Sequence, residues 1–474
     1  MRADRTDEAG RVERHSAAFR KELGLRDLVL TQILYVVGLS WVGTAAKLGP
    51  SQIAFWLAAM VLFYLPQAAV VVHLSRRFPL EGGLYQWAKL GLGGGVAFLV
   101  AWNLWLYAIV LLGAVGIQVA NAAVYAAGPS APWLAGMAGS RAFMGATSGV
   151  LLGALVVTSI LGLGVGKWVH NAGGVLLLFA FALLIALPVI GMARGTLRDY
   201  HPFAVAAPAL TLFNLNVFGK LAVGALSGFE YAAVLAGESR DPGRTIGRSV
   251  IIAAPVIALM FILGTASILA LVPAEQIDLV GPIPQAFRVG LGALGGAAAL
   301  AVPLAVASVT ARSVASASVL FTTTTRLPMV TGWDHLMPSW FARLHPRWRT
   351  PVNSILFVGA CGLAFALAGM TGVGEQEAFQ LLDNAAGIFY GLTYLVLFAV
   401  PLVGLRHARS PRWLRAASAV GFAVTALYVV LSVLPIVTVE SRLAFAAKIG
   451  GVVLGANAVG AALYWTARER ARSE

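Results

Sequence analysis

Long runs of apolar residues dominate this chain, and short polar or glycine-rich stretches separate them. A helix needs about 20 apolar residues to cross ~30 Å of hydrocarbon, so each sufficiently long run predicts one membrane span. The runs predict twelve spans, at 28–46, 52–74, 95–126, 143–163, 169–192, 209–236, 246–272, 292–321, 352–370, 378–404, 414–436 and 443–466. The expected fold is therefore an all-α polytopic membrane protein with both termini on one side.

Two of the predicted spans are interrupted by glycine near their middle. The sixth carries Gly224, Ser227 and Gly228, and each mid-helix glycine costs about 1 kcal/mol relative to alanine. Glu230 follows at once, and a broken helix with an acid beside the break is how transporters build binding sites. The alternative is a glycine-packed span with a buried, protonated glutamate. The first span is interrupted in the same way between Gly38 and Gly43.

Two broken helices five spans apart predict two five-span halves of opposite orientation, although two unrelated glycine-rich spans remain the alternative. The predicted units are an N-terminal tail at 1–27, the two halves at 28–192 and 209–404, peripheral spans at 414–466 and a C-terminal tail at 467–474.

Composition and charge support a membrane location. The chain has 474 residues, of which 59% are hydrophobic and 11% charged, whereas soluble domains are about 25% charged. The net charge of +14 is scattered over loops and tails, so it predicts topology rather than nucleic-acid binding. Of the 34 Lys and Arg residues, 25 lie on the side of the termini, seven on the other side, and two, Lys220 and Arg312, within predicted spans. The positive-inside rule therefore places both termini in the cytoplasm.

The sequence carries no signature of catalysis or of a bound metal. Cys361 is the only cysteine and falls in an apolar run, which excludes an internal disulfide and a cysteine-based metal cluster. The predicted spans contain neither a His/Asp cluster nor a Gly-x-Ser-x-Gly elbow. We expect no enzyme activity and no cofactor.

Two polar loops have content of their own. A proline and a Gly-Gly pair precede Tyr85 and Trp87, which predicts a short interfacial helix with aromatic anchors. The loop from Arg326 to Pro351 is basic and aromatic, and we expect it to lie against anionic headgroups.

Four short motifs occur in order along the chain. They are Leu25-Arg26-Asp27 with Gly38 and Gly49-Pro50, Phe78-Pro79-x-Glu81-Gly82-Gly83-x-Tyr85-x-Trp87, Gly228-Phe229-Glu230 with Glu238-x-x-Asp241-Pro242, and Leu336-Met337-Pro338 with His345-Pro346 and Thr350-Pro351. Together they resemble bacterial amino acid permeases of the amino acid/polyamine/organocation superfamily. The resemblance covers nearly the whole chain.

This resemblance implies a LeuT-like core of ten helices, arranged as a five-plus-five inverted repeat with two peripheral helices, in the bacterial inner membrane. It also implies a secondary active amino acid transporter that works by alternating access. A polyamine or organic amine transporter of the same fold is the alternative, as is a non-transporting sensor or channel-like relative. The chain departs from the family where Gly-x-Gly is usual, since it has Gly38-Leu39-Ser40 followed by Trp41.

The same resemblance indicates where a substrate would bind. The N–H groups at the break in the first span would hold a carboxylate, and free carbonyls of the sixth span would accept from an ammonium. The candidate binding residues are Gly38, Leu39, Ser40, Trp41, Trp105, Gly224, Ser227, Gly228 and Leu320, with Trp102 and Tyr390 as further lining.

Charged residues within the spans suggest how transport is driven. Glu230 matches the acid of the family's sixth span and is the candidate for proton linkage. We expect Arg312 to form a structural charge pair with Glu230 or Asp383. The alternatives are that it replaces a coupling cation or that it binds an acidic substrate. Asp383 and Lys220 are expected at solvated positions near the outer vestibule. Because Ser316 is the single hydroxyl near the depth of a sodium site, proton coupling or exchange is favoured.

Overall fold

The fold is described from a computed structural model of the chain. It covers residues 10–473 except 128–132, 134–136, 138–139, 198–199, 204, 280, 293, 370–374, 405–409 and 437–440. Within these ranges the secondary structure is helical, and an isolated bridge between Leu23 and Ser239 is the sole β feature. The prediction of an all-α membrane protein is confirmed.

The helices follow the order of the apolar runs. The first group is α1 (Leu25–Val36), α2 (Leu39–Ala46), α3 (Gly49–Arg77), α4 (Leu84–Leu92), α5 (Gly94–Ala127), α6 (Arg141–Leu161), α7 (Leu163–Ala193), α8 (Leu212–Gly219) and α9 (Phe229–Val234). The second group is α10 (Pro242–Leu271), α11 (Pro282–Gly292), α12 (Ala298–Thr324), α13 (Arg326–Trp333), α14 (Val352–Gly369), α15 (Glu375–Val403), α16 (Arg412–Leu431) and α17 (Arg442–Ser473).

The number of spans agrees closely with the sequence. In the described part of the chain, ten helical segments are long and apolar enough to cross a membrane, and the bent pair α1–α2 makes an eleventh. A shorter apolar helix, α14, occupies the position of the predicted ninth span. The apolar span that contains α12 begins at Gly295, close to the predicted start at 292, and its first turn is a 3-10 helix. Twelve spans and the inverted repeat stay predictions.

Helix α4 is the short helix expected after the Gly-Gly pair, but its aromatic residues do not anchor it at a membrane surface. Tyr85 and Trp87 are fully buried. Trp87 Nε1 donates to the Phe78 carbonyl at 3.0 Å, and the Tyr85 hydroxyl donates to Asp334 at 2.5 Å. These aromatic side chains therefore join α4 to neighbouring loops rather than to lipid.

The N-terminal segment, residues 10–24, lies across one end of the bundle, which we call the N-terminal face. Arg11 forms an ion pair with Asp334 at 3.2 Å, and the His15 ring stacks on Trp333 with centroids 5.0 Å apart. Both partners lie just after the eighth predicted span. The segment thus connects the beginning of the chain to a loop more than 300 residues later.

A buried ionic cluster lies beneath this segment, between the loop after α3 and the end of the sixth predicted span. Arg326 forms an ion pair with Glu238 at 2.6 Å, and both side chains are almost inaccessible. Glu81 accepts the Gly237 N–H at 2.5 Å, while Lys21 donates to the Gly237 carbonyl. The loop from Arg326 to Pro351, which the sequence predicts to lie against anionic headgroups, therefore begins with a buried arginine.

Candidate functional site

The first span is broken at Val37 and Gly38. Helix α1 ends at Val36, α2 begins at Leu39, and the two axes differ by 44°. Extended backbone at Gly38 removes the continuous helical ladder. Carbonyl groups at the end of α1 are therefore left to accept hydrogen bonds from elsewhere in the protein.

Arg312 supplies the missing donors. Its guanidinium, carried by α12, donates to the carbonyl oxygens of Leu34 at 2.8 Å and Val37 at 2.6 Å, and Ser316 Oγ lies 3.3 Å from the first of these. The C-terminal end of a helix has partial negative charge, which favours a cation there. In the described part of the chain no carboxylate lies within ion-pair distance of Arg312, so the expected charge pair is wrong.

The sixth span is broken next to Gly228. Beyond α8 the helix widens into a π-helix over Lys220–Ala225, and regular structure resumes with α9. Gly228 has φ of 134°, a conformation that side chains with a Cβ rarely adopt. A Cβ there would also lie 2.6 Å from the Tyr35 ring. Glycine is required at this position because Tyr35 packs directly on the backbone.

Glu230, in the first turn of α9, is fully buried and held by two tyrosines of α15. The Tyr390 hydroxyl donates to Glu230 Oε1 at 2.5 Å, and the Tyr394 hydroxyl is hydrogen-bonded to Oε2. Tyr394 also accepts the Gly228 N–H at 2.8 Å and contacts Gln67 Oε1 at 2.8 Å. The acid and the break therefore share one hydrogen-bond network.

Four tyrosines form an aromatic cluster beside this network. Ring centroids lie 4.3 Å apart for Tyr35 and Tyr231, and 4.1 Å apart for Tyr107 and Tyr390. The hydroxyl groups of Tyr35 and Tyr231 are buried beside each other, and neither makes a hydrogen bond of good geometry in the described structure. Such groups carry a desolvation cost that a polar ligand would relieve. Of the four, the sequence indicated Tyr390 alone.

Trp41 lies between the two breaks. A Cβ added at Gly38 would be 2.6 Å from one edge of its indole, and a Cβ added at Gly224 would be 2.6 Å from the other edge. The two glycines therefore provide the space that the indole occupies. Leu39 and Ser40 are the first residues of α2, and the Ser40 carbonyl accepts from Thr44 at 3.3 Å.

The sequence predicts solvated positions for Lys220 and Asp383, and for Lys220 this prediction is wrong. Its side chain is 2% exposed, and Nζ donates to Asn384 Oδ1. Asp383, next to Asn384 on α15, is the acid that interacts electrostatically with Lys220. The lysine begins the π-helix, so it fixes the widened turn to α15.

The remaining candidate residues lie at different places. Trp105 stacks on Trp102 and on Phe357 of α14, with centroids 5.5 and 5.6 Å apart. Trp102 Nε1 donates to the Ala456 carbonyl of α17 at 2.8 Å. Leu320 and Ser227 are buried, the first in the apolar core and the second beside Gly228. Their roles in substrate binding stay predictions. Among the described residues, no group of His, Cys, Asp and Glu is arranged to hold a metal ion.

Comparison with known proteins identifies the family of this chain. The sequence profile described as amino acid permease matches residues 28–453, which is nearly the whole chain. The chain belongs to the amino acid permease family. It is therefore a multi-pass membrane transporter of the superfamily that the four motifs resemble, and its homologues indicate amino acids or amines as substrates.

Three relatives illustrate the range of this family. An uncharacterized transporter of Legionella pneumophila is 22% identical over 396 residues, which cover 82% of each chain. The methylthioribose transporter of Bacillus subtilis is 24% identical, covering 78% of this chain and 81% of its own. The low-affinity putrescine importer of Escherichia coli is 25% identical, covering 76% of each.

Proposed function

We propose that this permease is a secondary active transporter for an amino acid or a related amine, driven by protons or by exchange. In the proposal, the two halves at 28–192 and 209–404 alternate access to a site between the broken helices. The distribution of Lys and Arg supports a cytoplasmic N-terminal face. The family resemblance supports a location in the bacterial inner membrane.

The proposal rests on the number of protons available for hydrogen bonds at the Tyr394 hydroxyl. The Gln67 amide has a fixed orientation, since its Nε2 donates to the Leu226 carbonyl, so Oε1 faces Tyr394. The Tyr394 hydroxyl has a single proton, but Gln67 Oε1 and Glu230 Oε2 both lie within hydrogen-bond distance. Both oxygens are satisfied when Glu230 carries a proton on Oε2 and donates it to Tyr394. This arrangement supports Glu230 as the proton carrier.

Loss of that proton would change the geometry of the break. Tyr394 would then donate to the Glu230 carboxylate and leave Gln67 Oε1 without a donor. Because Tyr394 also accepts the Gly228 N–H, the protonation of Glu230 is linked to the backbone at the break. Such a link is what coupled transport requires, since the proton must bias one conformation of the binding site.

Arg312 supports a mechanism without sodium. Its guanidinium is bonded to two carbonyls at the end of α1, where a coupling cation would otherwise bind. Arginine stays charged and is fixed to the chain, so it neutralises the helix end permanently. The driving ion would then act elsewhere, at Glu230.

The test is Glu230→Gln in proteoliposomes. The amide keeps the shape and hydrogen bonding of the acid but carries no exchangeable charge, so uptake driven by a pH gradient should be lost while substrate exchange is retained. The exposed acid Glu275, changed to Gln, provides a matched control with full uptake. Gradient-driven uptake by the Glu230 variant at the parent's rate would remove this residue from coupling. Loss of both modes would make it structural.

A second candidate function is transport of an amine that lacks a carboxylate. The observation that favours it is the tyrosine cluster, since aromatic faces attract cations. In addition, Trp41 fills the space beside Gly38, where a carboxylate would bind. Putrescine, the substrate named for the Escherichia coli relative, is such an amine. A thermal-shift screen that pairs each amino acid with its decarboxylation product would separate the two candidates.

A further inference from the structure

A groove of about 890 Å³ opens on the side of the bundle, away from the proposed substrate site between the two broken helices. It runs between α3 and α10 and ends near the start of α16. The residues that line it are Met60, Tyr64, Leu65, Ala68, Ala69, Val72, His73, Arg76, Arg77, Val250, Ile251, Ala254, Pro255, Ala258 and Trp413. Apolar residues form most of the wall, and the cationic side chains lie together at one end.

Small residues create the depth of this groove. Ala68 and Ala69 face it from α3, while Ala254 and Ala258 face it from α10. Side chains of this size leave a channel between two helices whose other lipid-facing positions carry bulky residues, such as Leu65 and Ile251 with exposures of 57% and 58%. The volume of the groove and its largely apolar lining suit a hydrocarbon chain.

The cationic end lies at the N-terminal face. Arg76 and Arg77 occupy the last turn of α3, and both are exposed. Arg76 extends over α10, where a Cβ added at Gly247 would lie 3.4 Å from its Nε. Within the described ranges neither arginine makes an ion pair. Trp413 is 60% exposed beside them, as aromatic residues at a membrane–water interface are.

We propose that this groove binds one anionic phospholipid, with its phosphate on Arg76 and Arg77 and an acyl chain along the alanines. Basic pockets between membrane helices are the sites that select anionic headgroups. Two guanidinium groups that form no ion pair in the described part of the chain complement a net negative headgroup, whereas a zwitterionic lipid brings its own cation. The occupant is a lipid rather than a soluble anion, because the apolar channel continues directly from the charged end.

The floor of the groove connects this lipid site to the sixth span. Tyr64 lines the groove, donates to the Ala254 carbonyl at 3.3 Å, and has its ring centroid 5.0 Å from that of Phe229. Phe229 lies directly between Gly228 and Glu230. A bound acyl chain would therefore restrict the ring that supports the break, which gives the lipid a route to influence transport.

Native mass spectrometry of the purified full chain with phosphatidylglycerol or phosphatidylcholine tests the site. Each basic side chain near an anionic headgroup contributes about fivefold in binding, so Arg76→Gln with Arg77→Gln should lower phosphatidylglycerol retention about thirtyfold. Arg468→Gln with Arg470→Gln removes the same charge at the C-terminal end, and it should retain the lipid as the parent does. Ala258→Phe keeps every charge but fills the channel, and it should also lose the lipid.

Each outcome decides the proposal. If both double variants lost phosphatidylglycerol equally, general electrostatic attraction would explain the binding, and the proposed site would be overturned. Equal retention of phosphatidylcholine and phosphatidylglycerol by the parent would overturn the headgroup assignment, and full retention by Ala258→Phe would overturn the groove. Lipid binding is measured without transport, so failure of this proposal leaves the proposed coupling through Glu230 untouched.

Discussion

Single side chains from distant parts of the sequence complete both helix breaks. Arg312 reaches the first break from α12, and Tyr394 reaches the second from α15. Each supplies a hydrogen-bond partner to backbone that an unbroken helix would have satisfied internally. The breaks are therefore stable structures with specific partners rather than weak points in the helices.

Replacing Arg312 should show how much the first break depends on it. Arg312→Met keeps an unbranched side chain but removes every donor, so the carbonyls of Leu34 and Val37 lose bonds worth about 1–3 kcal/mol each. We expect a lower thermal midpoint and loss of transport. Sodium should raise the midpoint of this variant but not that of the parent, because the vacated carbonyls and Ser316 can bind a cation.

The exposed arginine Arg288, changed to Met, is the control for that measurement. It removes the same charge and should leave the midpoint near that of the parent. Sodium stabilising neither protein would argue against a cation-binding geometry at the break, and full transport by Arg312→Met would make the guanidinium dispensable.

Sequence alone could locate the acid but not its partners. Glu230 stands out because a carboxylate within a glycine-rich apolar run has few explanations. Gln67 and Tyr394 carry no such signal, since a lone polar residue in an apolar helix is common and each lies more than 150 residues from Glu230 along the chain. The partner of Arg312 was predicted wrongly because backbone carbonyls at a helix end have no sequence signature.

At the scale of helices, Trp41 determines how closely the two broken spans approach. Its indole fills the space beside Gly38 and Gly224, so α2 and the π-helix pack through one aromatic ring. The sequence correctly predicts both interruptions from their glycines. Their extent differs, since Ser40 to Gly43 are helical and the sixth span widens before it breaks.

Trp41→Ala should therefore enlarge the binding site. Removing a packed indole costs about 3–5 kcal/mol where the cavity stays empty, so the thermal midpoint should fall. Bulkier amino acids or amines should restore the midpoint by filling the cavity, and the range of transported substrates should widen. Trp465→Ala, at a 58% exposed position on α17, provides the control. An unchanged substrate range would place Trp41 outside the binding site.

At the scale of the whole molecule, the N-terminal segment and the ionic cluster beneath it close one end of the bundle. Burial and the neighbouring charge of Glu238 raise the pKa of Glu81 to about 8, although Arg326 and Lys21 oppose this. The Glu81 carboxyl is therefore protonated in the closed form at neutral pH. Its ordinary pKa is 4.5, and we expect hydration of the carboxyl on detachment of the N-terminal segment to lower the pKa toward that value.

This difference predicts the pH dependence of closure. The closed form then binds up to one more proton than the open form between about pH 4.5 and pH 8, so its stability is full below that range and falls as pH rises through it. The rate of trypsin cleavage within residues 10–24 should be divided by the rate for a free peptide of the same sequence. This ratio should increase with pH by at most about tenfold per pH unit.

Glu81→Gln should remove most of that pH dependence, because an amide keeps the bond from Gly237 without ionising. Glu13→Gln, an exposed acid in the segment itself, should behave as the parent does. A pH response that survives in Glu81→Gln would assign it to another group.

The ion pair between Arg11 and Asp334 also constrains the order in which this protein matures. These residues are 323 positions apart, and ribosomes add about 5–20 residues per second, so Arg11 exists for roughly 15–65 s before its partner is synthesised. The N-terminal segment leaves the ribosome long before Asp334 is made, so this ion pair forms late. A nascent chain arrested before Asp334 would expose the Arg11-containing segment to proteases and targeting factors. Closure of the N-terminal face thus marks a polypeptide whose first eight predicted spans have already been made.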